Sequence, residues 1–482
     1  MVFSSPLFLF LFLPLVMLGL ILPRLWMRNL WLLVFSLIFY AWGEVAFIFL
    51  MLASTVLNYF LGLWVDRENE PARRKWAVTI AIILNIGTLG FFKYANFFVD
   101  NLNALLSPLG VSPFHIEPVR LPIGISFFTF HALSYVIDVY RRKWVSAKNP
   151  ADVALYIFFF PQLIAGPILR WSAIAPQIAK RVVTRDGFAD GIRRFVGGLA
   201  KKMIIANAVA VPVDAIFALP PEQCSASLAW LGVACYTLQI YFDFSGYSDM
   251  AVGLGKMFGF QFLENFNFPY IAQSVTDFWR RWHISLSSWF RDYLYIPMGG
   301  NRVSAARNYF NLLTVFFLCG LWHGASWTFV IWGLYNGAFL IIERLGVGAA
   351  VERLPRPLRH VYLIAVVMVG WLIFRADSVA HIQSMLTNLV GLNHSETTQP
   401  LARYLTKQVT FALITGAIFS TPFWSGFKTL LVRVCGKLPE KPQTAFVQVG
   451  AYAELLLIVL LLAVSSAWMA GNTYNPFIYY RF

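Results

Sequence analysis

Long apolar runs separated by short clusters of arginine and lysine dominate this chain, and no soluble fold accommodates them. Leu7–Leu22, Leu30–Val65, Trp76–Val99, Leu121–Tyr140 and Tyr309–Ile342 are each nearly free of charge. A helix crossing a bilayer takes about 20 apolar residues. The 482 residues are 59% hydrophobic and only 13% charged, whereas a soluble domain carries about 25% charged residues. The expected fold class is therefore all-α, a polytopic integral membrane protein of about 11–12 spans plus re-entrant and interfacial amphipathic helices. A soluble enzyme, a disordered chain and a disulfide scaffold are excluded. Cys224, Cys235, Cys319 and Cys435 show neither close pairing nor the spacing of a metal site.

Lysine and arginine outnumber aspartate and glutamate 38 to 23, a net charge of +15. In a membrane protein this excess marks cytoplasmic loops, so no nucleic-acid partner is expected. Leu7–Leu22 has no basic residues before it and no small-residue cleavage site after it, and reads as a retained span. Arg24 and Arg28 then place the N-terminus outside. Leu30–Val65 breaks at Gly43–Glu44 into a hairpin that returns to the basic stretch ending at Lys75. Trp76–Val99 runs out, and Leu121–Tyr140 comes back to Arg141, Arg142 and Lys143.

Asp152–Leu169 has basic loops on both sides and contains Pro161 and Pro167, which predicts a re-entrant or interfacial element enclosed by protein. Met203–Leu219 and Leu228–Phe244 form the next pair of spans. Residues 245–308 mix tryptophan, tyrosine and arginine with no run long enough to cross, which predicts amphipathic helices at the cytoplasmic face. Later spans fall near 361–374, 408–424 and 446–469, leaving Gly471–Phe482 outside. No internal repeat or domain boundary interrupts 1–482.

Two histidines are the candidates for carrying chemistry. Tyr309–Ile342 has 34 uncharged residues and basic loops on both flanks. It is too short for two full crossings, so it predicts a re-entrant hairpin with its apex at Gly320-Leu321-Trp322-His323-Gly324. An imidazole at membrane depth suits general-base work, although a histidine bonding two helices together would satisfy the same pattern. In Asp277–Leu286, a continuous helix would put Trp279, His283, Leu286 and Phe290 on one face, with Arg280, Arg281 and Arg291 opposite. His283 there assists a base, orients a carbonyl, or is incidental to an interfacial anchor. Arg280, Arg281 and Arg302 suit the phosphates of a donor, and equally a lipid-facing anchor.

Asp243 and Asp249 read either as turn and capping residues or as substrate contacts. Met298-Gly299-Gly300-Asn301-Arg302 is a turn or a phosphate cradle. Gly253-Leu254-Gly255-Lys256 lacks the spacing and hydroxyl of a phosphate loop. Lys93 is expected to snorkel and His131 to pack in a core.

Trp279–Arg302 and Leu321-Trp322-His323-Gly324, with 40 positions between His283 and His323, resemble the membrane-bound O-acyltransferase family. So do Phe91–Asn96, Leu121–Phe127, Leu163–Pro167, Asp243–Asp249 and the closing Asn475-Pro476-Phe477. The likeness covers nearly the whole chain and is greatest to the bacterial branch that O-acetylates exported polysaccharides such as alginate. It implies acyl transfer from a cytoplasmic thioester, acetyl-CoA, with His323 the principal catalytic residue and His283 the second. It also implies a bacterial inner membrane location, an exported polysaccharide, and a periplasmic acetyltransferase-type partner. No metal and no resident cofactor are implied. The competing class is a transporter or flippase of an acyl or sugar carrier.

Overall fold

A computed structural model describes residues 1–392, 399–437 and 439–471. The described residues are helical throughout their regular structure, with no strand. Chain contacts divide them into two compact units: residues 1–192 with 251–263, and residues 193–250 with those from 264 onward.

In the first unit, α1 (Phe8–Ile21) and α2 (Leu25–Ala41) precede α3 (Phe47–Arg67). The break between α2 and α3 falls at the expected Gly43–Glu44. α4 (Pro71–Leu106) is longer than its apolar run, because Pro71 starts it within the basic loop. α5 (Ile125–Tyr140) packs against α3 and α4. The expected re-entrant segment is a chain of short helices, Pro150–Phe158, Phe160–Leu163 and Trp171–Ala179, broken at Phe159. Residues 153–169 are almost wholly buried, the one setting in which irregular backbone survives away from water. His131 is a packed core residue as expected, its ring 5.6 Å from that of Tyr156. Lys93 does not snorkel; it is buried and donates to Ser126 Oγ at 3.4 Å.

Among the described residues, six helices are long and apolar enough to cross a membrane: α3, Pro71–Leu109, α6 (Arg185–Phe217), Trp327–Arg353, Arg356–Arg375 and Pro442–Gly471. A seventh span results if Lys407–Phe419 and Phe423–Cys435, bent by 61°, are taken as one. This is fewer than the 11–12 expected from apolar content. The remaining apolar residues lie in helices that are too short, such as α1, α2 and α5, or that carry buried charge.

α7 (Ala226–Met257) is of the latter kind. The expected span end at Phe244 is passed, and 245–257 continue the helix as buried interior rather than a surface element. In the second unit Lys202 pairs with Asp243, both 2% exposed, while Lys201 reaches Asp249 at 2.6 Å. Arg194 also bonds Asp249, at 2.7 Å. The two aspartates are therefore neither caps nor turn residues but the acidic half of an ion-pair set, buried at Lys202–Asp243 and partly exposed at Arg194 and Lys201. Residues 472–482, with Asn475-Pro476-Phe477 among them, lie outside the described residues, as do 393–398 of the loop after Arg375.

Candidate active site

The second unit contains both histidines. α8 (Val275–Arg281) begins with Ser274 Oγ accepting from Asp277 N at 3.0 Å. Glu343 supplies a second cap: its buried carboxylate accepts from the Val275 N–H (2.7 Å), the Thr276 N–H (3.1 Å) and the Thr276 hydroxyl (2.9 Å). A carboxylate at a helix N-terminus satisfies orphan donors and complements the dipole.

The continuous helix expected over 277–290 does not form. α8 stops at Arg281, α9 (Ile284–Phe290) starts afresh, and His283 between them adopts a left-handed backbone with φ 44° and ψ 53°. The cause lies upstream in Asn265–Asn267. Asn267 N donates to Arg281 O at 3.0 Å and Ile284 N donates to Asn265 O at 2.9 Å, so the peptide groups on either side of His283 pair outside any helix. The shared helical face of Trp279, His283, Leu286 and Phe290 is thereby lost.

Asn265 also fixes the state of the imidazole. Its side-chain oxygen accepts from the Ser285 N–H (3.2 Å), the Ser285 hydroxyl (2.9 Å) and His283 Nδ1 (3.1 Å). A backbone N–H can only donate, so the atom facing it is the amide oxygen and His283 Nδ1 carries the proton. The basic lone pair is then on Nε2, which is buried without a hydrogen-bond partner. Burial lowers the His283 pKa to about 3, so the ring is neutral.

α10 (Ala305–His323) and α11 (Trp327–Ile342) form the expected hairpin, turning through Gly324-Ala325-Ser326. Two glycines set their crossing. A Cβ on Gly320 would lie 2.3 Å from Phe329 O, and one on Gly333 would lie 2.3 Å from Phe316 O. His323 is the last residue of α10 and 8% exposed. Its ring lies edge-on to Trp322 (4.8 Å), Trp332 (5.1 Å) and Phe374 (5.1 Å), the last from α12 (Arg356–Arg375). His283 packs on Phe244 at 4.6 Å and on Trp322 at 6.2 Å. One indole thus touches both imidazoles, and the structure brings the two histidines together. Trp279 joins the same wall, 5.8 Å from Trp332 and 5.0 Å from Phe316.

The three arginines are not brought together by any contact. Arg281 is committed to Asp277 at 3.0 Å and to Asn267 O at 3.3 Å. Arg280 and Arg302 are exposed. Met298–Arg302 is a turn with Gly299 at φ 105° and Gly300 at φ 55°, and Asn308 Nδ2 holds the Gly300 carbonyl at 2.9 Å. Sequence reasoning missed Asn265, whose type and position carry no motif, and Glu343, whose one signal is a single charge at the end of an apolar block.

The second unit of this multi-pass membrane protein thus holds a buried pair of histidines walled by aromatic rings, one ending a helix and one between two helices. Residues 126–385 match the membrane-bound O-acyltransferase family, and this chain belongs to it. It is a membrane acyltransferase, and the transporter class is set aside. It is 42% identical to a probable alginate O-acetylase AlgI of Azotobacter vinelandii over the full length of both chains. It is 50% identical to the probable alginate O-acetylase AlgI of Pseudomonas aeruginosa, over 79% of this chain and 73% of that one. Against the peptidoglycan O-acetyltransferase of Helicobacter pylori the identity is 37%, over 82% and 80%.

Proposed function

We propose that this enzyme moves an acetyl group from a cytoplasmic thioester, acetyl-CoA, to an exported polysaccharide such as alginate, from the bacterial inner membrane. A periplasmic acetyltransferase-type protein serves as partner or relay. The observation that carries the reading is His323, buried in its aromatic cage at the end of α10 beside a second, neutral histidine. The full-length likeness to alginate O-acetylases supports the choice of polymer.

In the proposed step, neutral His323 takes the proton of an acceptor hydroxyl as that oxygen attacks the thioester carbonyl. The tetrahedral adduct collapses with loss of the thiolate, which recovers the proton from the imidazolium, giving an O-acetyl ester and free CoA. Positioned general-base help is worth roughly 10²–10⁴-fold. His283 presents a bare Nε2, so it receives a proton or a hydroxyl hydrogen bond. It has nothing to donate to a carbonyl in that tautomer, and assisting the base is the role its geometry supports. Arg280 and Arg302 remain available for the donor's phosphates, whereas Arg281 would first have to leave Asp277.

The test is full-length protein in proteoliposomes supplied with acyl-labelled acetyl-CoA. The wild type is expected to release CoA and label the acceptor, and His323→Ala, at equal membrane level and melting temperature, to lose at least about 100-fold. Retained turnover in that variant removes His323 from the chemistry.

A further inference from the structure

Asn265 grips the His283 segment through main chain and side chain together. Its carbonyl accepts from Ile284 N at 2.9 Å, and its side-chain oxygen accepts from His283 Nδ1 at 3.1 Å, Ser285 N at 3.2 Å and Ser285 Oγ at 2.9 Å. Asn265, His283 and Ser285 are each 1% exposed, so these bonds are shielded from water. The other end of the same amide is idle: Asn265 Nδ2 is buried with no hydrogen-bond partner among the described residues. A stranded donor carries the whole cost of its lost hydration.

Only the oxygen is used, and this makes the residue type informative. Aspartate has nearly the same shape and would accept the same side-chain hydrogen bonds. Its charge would strengthen them, and it would strand no donor. By hydrogen bonding alone a carboxylate suits position 265 better than an amide. The difference lies in the ring. A carboxylate against Nδ1–H favours the imidazolium, which is protonated on Nε2 as well and has no lone pair left.

The surroundings would not intercept that charge. The His283 ring meets Phe244 of α7 and Trp322 of α10, neither of them ionisable. On the elements around it, Asp243 pairs with Lys202, Arg281 with Asp277, and Glu264 with Arg194. Tyr241 packs on Phe266 and Trp282, and His323 follows Trp322 in α10. An aspartate at 265 would therefore find its counter-charge in the imidazole it holds. The amide leaves the ring uncharged and Nε2, itself buried with no partner, as an acceptor.

We propose that Asn265 is a positioning residue for acetyl transfer: its amide oxygen holds His283 as a neutral ring protonated on Nδ1, so that Nε2 enters the reaction as a proton acceptor. The inference rests on the acyl-transfer reading and adds to it the reason for an amide at this position.

The test measures acetyl transfer between pH 5 and pH 9 in proteoliposomes of the full chain, wild type against Asn265→Asp. Nitrogen NMR of histidine-labelled protein is read in parallel. Asn265→Asp keeps every hydrogen bond to the side-chain oxygen and is expected to melt near the wild type. The acid limb of its pH–rate profile is expected to move up by about one pH unit or more, with about tenfold less transfer for each unit below the limb and an unchanged KM for acetyl-CoA. A merely structural role would scale the whole profile and leave the limb in place, and that result in folded Asn265→Asp overturns the proposal. In the wild type, the His283 signal, identified by its loss in His283→Asn, is expected to show a protonated Nδ1 and a bare Nε2 at neutral pH. The other tautomer, or an imidazolium, overturns the proposal even if Asn265→Asp fails to fold. A wild type that releases no CoA overturns the acyl-transfer reading and this inference together, whereas wild-type turnover with an unshifted limb in the variant overturns this inference alone.

Discussion

Gly320 offers a graded test of how the hairpin holds His323. Its missing Cβ would sit 2.3 Å from the Phe329 carbonyl oxygen and 3.2 Å from Gly333 Cα. A carbon–oxygen contact relaxes at about 3.3 Å or more, so Gly320→Ala forces α10 and α11 apart by about 1 Å. Both obstructing atoms are backbone, and no side chain can swing aside. Overpacking of this kind costs typically 1–3 kcal/mol. The catalytic cost is larger in proportion, because His323 lies one turn further along α10 and its cage partner Trp332 stands on α11 next to Gly333. A 1 Å misplacement of a catalytic group is worth about 100-fold in rate. The expected result for Gly320→Ala is a melting temperature lowered by a few degrees and acetyl transfer lowered roughly 100-fold. Gly333→Ala, facing Phe316 O at 2.3 Å, should behave alike. Gly337→Ala meets the tip of Leu313 at 3.2 Å and Phe316 Cβ at 3.3 Å, contacts that ask for a shift of only a few tenths of an ångström, and should keep most activity. Gly87→Ala in α4 has nothing within 4 Å and should be neutral or slightly stabilising. Melting curves and labelled-acetate transfer on the four variants check the order, and wild-type turnover in Gly320→Ala would refute the reasoning.

The neutral state of His283 has a signed pH consequence. Its folded pKa is about 3 against 6.5 unfolded, so the unfolded chain binds the extra proton and stability is complete above pH 6.5 and falls below it by about 1.4 kcal/mol per unit. Comparing melting from pH 8 to 5 with His283→Asn, which tolerates the left-handed backbone, should show the slope flattened in the variant; parallel curves would contradict it. For the buried Lys202–Asp243 pair, Lys202→Met or Asp243→Asn alone is expected to cost about 3–5 kcal/mol, and Lys202→Met with Asp243→Leu to recover much of it. A double-mutant cycle in melting free energy checks this, and additive losses would show that the two groups do not act as a pair.

The parts of the fold that were legible in the sequence are those set by local rules. The α2–α3 break follows Gly43–Glu44, the α10–α11 turn follows Gly324, and the broken helices at 150–179 follow Pro161 and Pro167. In each, composition acts on the nearest turn of backbone. What escaped is set by partners distant in sequence. Nothing within 277–290 announces that the helix ends at His283, because the competing hydrogen bonds come from Asn265 and Asn267. Asp243 and Asp249 read as polar punctuation until Lys201, Lys202 and Arg194 neutralise them, after which a helix runs straight through. Apolar content pointed to about 11–12 crossings, whereas six or seven of the described helices are by themselves long and apolar enough, because apolar residues also fill shorter helices such as α1, α2 and α5. At the site, residue type marked both histidines, but the tautomer of His283 depends on one amide eighteen positions earlier.

Glu343 turns α11 into a ruler. From Trp332, which walls His323, to Glu343, which holds the start of α8, is eleven positions, close to three helical turns. Both therefore project toward the same side of α11, and the stretch of chain that carries His283 hangs from the same rod that backs His323. Adding or deleting one residue between them would rotate one grip by about 100° relative to the other. A change of length between Trp332 and Glu343 would therefore alter the distance between the two imidazoles of this enzyme.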